Sequence, residues 1–234
     1  MKGKLFLLPM VIAEGSPEQT IPPSVIQTVK NLRNFLCENI RTARRYISSL
    51  KVHESIESLN FELLNKDTPS SELPRLLQRL ELGEDVGLLS ESGCPGVADP
   101  GAAAVRYAHS KCITVVPLVG PSSILLALMG SGFNGQQFAF HGYLPIDSKE
   151  IGTRIRELER ESSSHGQTQI FIETPYRNNK LLSHLLHFLQ PATMLCVAID
   201  LTSENEKIIS MPVGDWKTLG ITFEKSPAVF LFLA

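Results

Sequence analysis

The residues with chemical potential gather in one stretch, Leu88-Leu89-Ser90-Glu91-Ser92-Gly93-Cys94-Pro95-Gly96-Val97-Ala98-Asp99-Pro100-Gly101. Hydroxyls, a thiol and two carboxylates alternate there with turn-forming glycines and prolines. The apolar run leading in, Asp85 to Leu89, reads as a buried strand of a parallel sheet. The alanine-rich run leading out, Ala102 to Ala108, reads as a helix, with Asp99 as its cap and Pro100 at its first position. Strand, long loop and helix is the arrangement in which open α/β sheets bind ligands, outside the carboxyl ends of their strands. A loop this rich in turn residues is more often functional than filler.

Other residues invite chemistry less directly. Ser122 and Ser123 follow Gly120-Pro121 at the start of an expected helix, where free N–H groups attract a carboxylate or phosphate. Capping alone explains that pair equally well. No G-x-S-x-G elbow surrounds any of the serines, so hydrogen bonding suits them better than nucleophilic attack. Cys94 reads as a small packing residue, since no cation is evidently aimed at it. His184 and His187 lie three apart on one helix, with no nearby Cys or Asp to complete a zinc set, and read as a surface pair. The run Gly130 to Gly135 fits G-x-G-x-x-G, yet it ends a helix and precedes a strand. The dinucleotide fingerprint needs the reverse order, so this is a helix stop. Arg41, Arg44 and Arg45, with Lys30 and Arg33, make a modest basic cluster, suited to mixed surface charge or to phosphate contact.

The whole-chain figures narrow the classes. A length of 234 residues suits one large domain or two small ones. Hydrophobic residues at 43% and charged residues at 20% are ordinary for a soluble globular protein. A net charge of −2 excludes a general polyanion binder, so a nucleic-acid substrate needs a local basic face. The cysteines Cys37, Cys94, Cys112 and Cys196 form no C-x-x-C, which argues against a zinc site or disulfide scaffold and for a reducing compartment, the cytoplasm. The apolar start mimics a signal peptide, but it contains Pro9, soon meets Glu14 and lacks a cleavage site, so it reads as a first strand. No run is long enough to span a membrane.

The elements that must position these residues follow in order. Lys4 to Ile12 is expected as a strand and Glu14 to Thr20 as a polar loop. From Pro22 a helix is expected, with Val25, Ile26, Val29, Leu32, Phe35 and Leu36 at helical spacing. Arg41 to Leu50 is expected as a helix, and Leu73 to Leu82 as an amphipathic one stopped by Gly83. Ile113 to Pro117 is a strand, and the helix at Gly120 runs to Met129. Further on, Gln136 to His141 is a strand, Gly142 to Pro145 a turn, and Lys149 to Glu161 a charged, solvated helix. Gln169 to Glu173, Thr193 to Ile199, Lys207 to Val213 and Ala228 to Leu233 are strands, with a helix from Thr174-Pro175 to Leu189 among them. The pattern predicts two α/β lobes, 1–117 and 118–234.

At this level of detail the sequence resembles the tetrapyrrole methylase superfamily of S-adenosylmethionine-dependent methyltransferases. It looks most like the branch that methylates a cytidine ribose 2′-hydroxyl in small-subunit ribosomal RNA. The resemblance lies in Leu5 to Ile12, Glu38-Asn39-Ile40-Arg41, Ser90 to Gly101, Val115 to Pro145, and Glu173 with Ala198 to Gly214. It implies two unlike α/β lobes with the cofactor in the cleft between them, and a homodimer. It implies cofactor contacts at Leu89, Ser90, Glu91, Gly93, Cys94, Ser122 and Ser123, near Glu173, and along the backbone at Leu201 and Ala228. Glu91 suits the ammonium or ribose hydroxyls of S-adenosylmethionine, and the helix start at Ser122 and Ser123 offers donors. Glu38 is the expected base or orienting group for a 2′-hydroxyl, and Arg41 the expected clamp on phosphate or substrate. The reaction calls for no metal and the partner is ribosomal RNA or its small subunit.

The sequence departs from the family pattern at four places. The family has Asp where Glu91 stands, Pro where Val119 stands, and an acidic pair where Glu38-Asn39 stands. Its Pro-Ile-Gly-Asn type loop is replaced by Val11-Ile12-Ala13-Glu14. Two alternatives therefore stay open: a tetrapyrrole or other small-molecule methyltransferase, and an S-adenosylmethionine-binding module with impaired catalysis.

Overall fold

The structure is a computed structural model that describes every residue except Glu14, Ser16 and Glu224. The chain divides into two compact units, Met1–Ser122 and Ser123–Ala234. The first holds a five-stranded sheet whose pairings are all parallel: β1 (Lys4–Leu8), β2 (Asn34–Cys37), β3 (Asn60–Leu63), β4 (Val86–Leu89) and β5 (Thr114–Pro117). Their spatial order is β3-β2-β4-β1-β5. Every residue of β2 and β4 is buried, as expected of central parallel strands covered on both faces. Gly87 in β4 allows close packing, because a Cβ there would lie 2.5 Å from Leu8 Cδ1 and 3.1 Å from both Leu32 and Phe35. Two apolar layers cover the sheet, one built around Val29, Phe35 and Ile47, the other around Leu77, Leu80 and Ala104.

The second unit holds a mixed sheet of β6 (Phe138–Tyr143), β7 (Thr168–Glu173), β8 (Met194–Ile199), β9 (Lys207–Pro212) and β10 (Ala228–Leu233), in the order β6-β7-β10-β8-β9. Only the β6–β7 pairing is parallel. Phe171, Phe230, Phe232 and Trp216 form an aromatic core on one face. The helix Ser123–Ser131 covers the other face through Ala127 and Leu128, against Ala198, Leu201 and Val229.

Several expectations need correction. The helix from Pro23 stops at Asn31, and Phe35 and Leu36 belong to β2. A continuous apolar run on a buried strand fits helical spacing by chance, because a strand covered on both faces shows no alternation. The short strand β3 and the helix Val213–Leu219 were not expected from the sequence. β1 ends at Leu8, since Pro9 has no N–H for the ladder. Residues 73–81 form two single-turn helices, Leu73–Leu76 and Gln78–Glu81, rather than one. The expected turn at 142–145 begins inside β6, where Gly142 takes φ +66° at a register shift. The charged helix extends from Ser148 to His165, capped by Asp147, and it buries Ile151, Ile155 and Leu158. The expected polar loop from Glu14 to Thr20 includes Glu14 and Ser16, which lie outside the described residues. Its last four residues, Pro17–Thr20, form a helical turn.

Candidate functional site

Parallel register fixes what meets at the carboxyl edge of the first sheet. Cys37 and Leu8 both pair with Leu89, and Leu7 pairs with Pro117. Glu38, Pro9, Ser90 and Leu118 therefore leave four neighbouring strands at one edge, where such sheets bind ligands. Ser90 is 5% exposed, and its hydroxyl donates to Ser92 O at 3.1 Å and Gly93 O at 3.3 Å. That hydroxyl shapes the loop rather than facing outward. Gly93 O also accepts from Met10 N at 2.8 Å, which ties the loop to the end of β1. Gly93 takes φ +66°, and a Cβ there would come within 3.2 Å of Pro121 O. The Cys94 thiol donates to Pro121 O at 3.3 Å and Gly120 O at 3.6 Å, and burial pushes its pKa up. It is thus a linking group in its thiol form, with no thiolate chemistry. Leu89 is fully in the core, so only its backbone can touch a ligand.

The carboxylates at this edge differ in setting. Glu38 Oε1 accepts from the backbone N–H of Glu91 at 3.2 Å. Burial raises the Glu38 pKa, and the charges of Asp99 and Glu91 add to that rise against the hydrogen bond. The Glu91 side chain itself is exposed. Asp99 Oδ1 accepts from Gly96 N at 2.7 Å and Gly101 N at 2.8 Å, which closes the loop and starts the helix Gly101–Ser110. The helix begins one residue later than expected, with Pro100 at the cap position and Asp99 still satisfying its first N–H. Ala98, just before Asp99, holds a left-handed φ of +58°, a costly conformation for a residue with a side chain.

A cavity of about 630 Å³ opens on this edge, lined by Glu38, Asp99, Lys66, Thr68 and Arg106 among others. Its size suits a nucleotide-sized ligand. Lys66 and Arg106 are exposed and, among the described residues, have no ion pair. Sequence reasoning missed Lys66, Thr68 and Arg106. Lys66 and Thr68 follow the unexpected strand β3, and Arg106 lies on a helix read only as alanine-rich packing.

Asn39 caps the helix Ile40–Ser49, its Oδ1 accepting from Arg41 N at 3.0 Å and Thr42 N at 3.3 Å. Arg41 is exposed at the first turn of that helix and, among the described residues, forms no ion pair. The rest of the basic cluster is partly engaged. Arg44 pairs with Glu57 at 3.5 Å, and Arg33 donates to the carbonyls of Lys30 and Leu32. The hydroxyls of Ser122 and Ser123, half-buried, have no hydrogen-bond partner among the described residues.

In the second unit, Ala228 pairs with both Glu173 and Ile199, so Glu173, Ala228 and the Leu201 turn meet at one end of the mixed sheet. Asp200 and Thr202 flank Leu201 with φ +49° and +70°. Both oxygens of Glu173 are committed locally, Oε1 to Thr174 N at 2.7 Å and Oε2 to Arg177 at 2.8 Å. The side chains of Leu201 and Ala228 are buried, leaving their backbone for any contact. His184 and His187 pack on the Phe188 ring, and no group of metal-ligating side chains occurs among the described residues. Gly132, at φ +75°, ends the helix that precedes it. No helix among the described residues is long and apolar enough to cross a membrane.

A parallel α/β unit that gathers carboxylates and cations at its carboxyl edge, followed in the chain by a unit with a mixed sheet, defines an α/β protein of two unlike units. Solved structures share this fold. The methyltransferase CobJ superposes with a TM-score of 0.62 at 17% identity, covering 98% of this chain and 93% of its own. Uroporphyrin III C-methyl transferase from Thermus thermophilus gives 0.60 at 17% identity, covering 99% and 97%. The profile of the Tetrapyrrole (Corrin/Porphyrin) Methylases matches residues 30–216. Ribosomal RNA small subunit methyltransferase I of Escherichia coli O157:H7 is 30% identical over 92% of this chain and 71% of its own length. The protein of that name from Buchnera aphidicola subsp. Acyrthosiphon pisum is 27% identical over 88% and 69%. The one from Vibrio cholerae is 30% identical over 73% and 58%. The chain belongs to the tetrapyrrole methylase family and is a methyltransferase.

Proposed function

We propose that the chain methylates a ribose 2′-hydroxyl of small-subunit ribosomal RNA, with S-adenosylmethionine as donor. One observation carries the reading: the Glu38 carboxyl, held by the Glu91 N–H, lines a nucleotide-sized cavity beside Lys66 and Arg106, which have no ion pair among the described residues. The names of the relatives from Escherichia coli and Buchnera aphidicola support the substrate class. The residues present suit the donor. Glu91 offers an exposed carboxylate to an ammonium or a ribose diol, and Ser122 a half-buried hydroxyl. When bound, S-adenosylmethionine supplies a methyl group on a positively charged sulfur, open to in-line displacement. Glu38 accepts the proton of the attacking hydroxyl as the oxygen–methyl bond forms and the sulfur–methyl bond breaks, then returns it to water. Its raised pKa suits it to this work near neutral pH better than an ordinary carboxylate. Arg41 and Lys66 hold RNA phosphate, and most of the acceleration comes from alignment in a partly dry site. The enzyme acts in the cytoplasm as a homodimer.

The structural likeness to a uroporphyrin methyltransferase favours a second acceptor, a carbon of a tetrapyrrole ring. Radiolabelled methyl transfer separates the two. Purified protein and S-adenosylmethionine are mixed with small ribosomal subunits from a strain lacking this methylation, or with a porphyrinogen. Label in RNA, recovered as a 2′-O-methylated nucleotide, supports the reading. Label in the ring alone overturns it. Calorimetric binding of S-adenosylmethionine with no transfer to either acceptor also overturns it, in favour of a binding module.

A further inference from the structure

Asp99 has an unusual second oxygen. Its Oδ1 is fully used by Gly96 N and Gly101 N, at 2.7 and 2.8 Å. Its Oδ2 is shut off from solvent and, among the described residues, has no hydrogen-bond partner. An unpaired buried carboxylate oxygen is costly, and such groups persist mostly where they have work to do. Capping explains one oxygen, since a single acceptor satisfies both loop N–H groups. The other oxygen belongs to a carboxyl group that lines the same cavity as Glu38. We propose that Asp99 is a positioning residue for Glu38, the two forming a coupled carboxyl pair in which Asp99 governs where Glu38 holds its proton. This rests on the reading of Glu38 as the base.

The electrostatic surroundings agree. The Asp99 charge raises the Glu38 pKa, second only to burial, and burial raises that of Asp99 itself. Two carboxyl groups in one partly dry site resist ionising together, so the first proton is lost readily and the second is retained. Other groups facing Glu38 are identifiable on each surrounding element. The Cys37 thiol precedes it on β2, and its own pKa is pushed up to about 12 by burial and by the Glu38 charge. Glu91, from the loop after β4, contributes both a donating N–H and a repelling carboxylate. Lys66, after β3, and Arg106, on the helix after the loop, line the cavity with opposite charge. Asp99 is half-buried where Glu91 is exposed, so screening weakens its repulsion of Glu38 less.

Asp99→Asn keeps an acceptor for Gly96 and Gly101, removes the charge and puts an NH2 in place of Oδ2, so its fold is first checked by circular dichroism. Deprotonated Glu38 is the active form, so the rate falls as pH drops through its pKa. Removing the neighbouring charge lowers that pKa, and the acid limb of the pH–rate profile shifts to lower pH. Because burial persists, the limb stops short of an ordinary carboxylate. The affinity for S-adenosylmethionine, read by calorimetry, stays within about twofold. The same downward shift is expected in the titration of the Glu38 carboxyl carbon by NMR. In the unsubstituted protein, each carboxyl carbon reports both steps of a coupled titration. Single, independent steps overturn the proposal without any variant. A limb that Glu38→Gln removes but a folded Asp99→Asn leaves in place overturns this proposal alone. An intact limb in Glu38→Gln overturns the base reading instead, and the positioning role with it.

Discussion

Replacing Asn39 with alanine tests whether that residue is a structural cap or the remnant of a catalytic pair. Asn39 is exposed and extended, with φ −144° and ψ 112°, so truncation opens no core cavity. What is lost is one acceptor serving the N–H groups of Arg41 and Thr42 at 3.0 and 3.3 Å. A lost N-cap of this kind costs about 1 kcal/mol, within a range of about 0.5–2. The capped helix buries Ala43, Tyr46 and Ile47, and the Tyr46 hydroxyl donates to Pro9 O at 2.8 Å. The loss is therefore felt by the whole first unit, Met1–Ser122, as a fall in its melting temperature of about 3–5 °C. Trp216 lies in the second unit, so tryptophan fluorescence is the wrong probe. Urea unfolding followed by circular dichroism, with hydrogen exchange at the Arg41 and Thr42 amides, reads the right one. The midpoint should fall with an unchanged slope. Asn39→Asp keeps both bonds and adds an anion at the helix start, a gain of about 0.3–1 kcal/mol. It also sets a charge beside Glu38, so the acid limb of the rate profile should move to higher pH while the maximal rate stays near that of the native chain. Unchanged stability and amide protection in Asn39→Ala would refute the cap. A tenfold or larger gain in rate from Asn39→Asp would show that the chemistry calls for a carboxylate here and that Asn39 is more than a cap.

Three further outcomes are expected. Glu91→Ala should weaken S-adenosylmethionine binding by about 1–3 kcal/mol, the usual loss for a charged hydrogen-bond partner, with its exposure favouring the lower figure; calorimetry showing native affinity removes Glu91 from the site. Arg41→Ala should raise the KM for ribosomal subunits and flatten its salt dependence while sparing cofactor affinity, and the opposite pattern sinks the clamp. Gly120→Ala should disorder the link between the loop and the residues leading to Ser122, because its Cβ would fall 2.0 Å from the rigid Pro9 ring, a clash no rotamer relieves. Proteolysis at 90–122 should accelerate, and an alanine that leaves it unchanged contradicts that packing.

What the sequence revealed about this fold depended on how far each signal is local. The loop from Ser90 to Gly101 was legible because glycine, proline and serine fix turns within a few residues, and its strand and helix flank it directly. The strand β10 is legible to its observed ends, Ala228 and Leu233, since an unbroken apolar run entered from Ser226-Pro227 needs no partner to be recognised. By contrast, β2 was read as the tail of a helix. Phe35 and Leu36 sit at helical spacing from Val29 and Leu32, and only the neighbouring strands decide which geometry wins. That one misreading hid β3, which pairs with β2, and with it Lys66 and Thr68 beyond β3. The site suffered in the same way. Glu38 was found through its family neighbours and Asp99 only as a cap, because a buried, unpartnered oxygen is a property of three-dimensional packing. The types of chemical group were readable at the loop. Which oxygens are already engaged, as in Ser90 and Glu173, and which remain free, as in Asp99, is set by backbone atoms that the residue letters do not encode. A carboxylate named from sequence is therefore a candidate for chemistry only until its hydrogen-bond partners are counted, and that count turns attention from Glu173 to the pair at the edge of the parallel sheet.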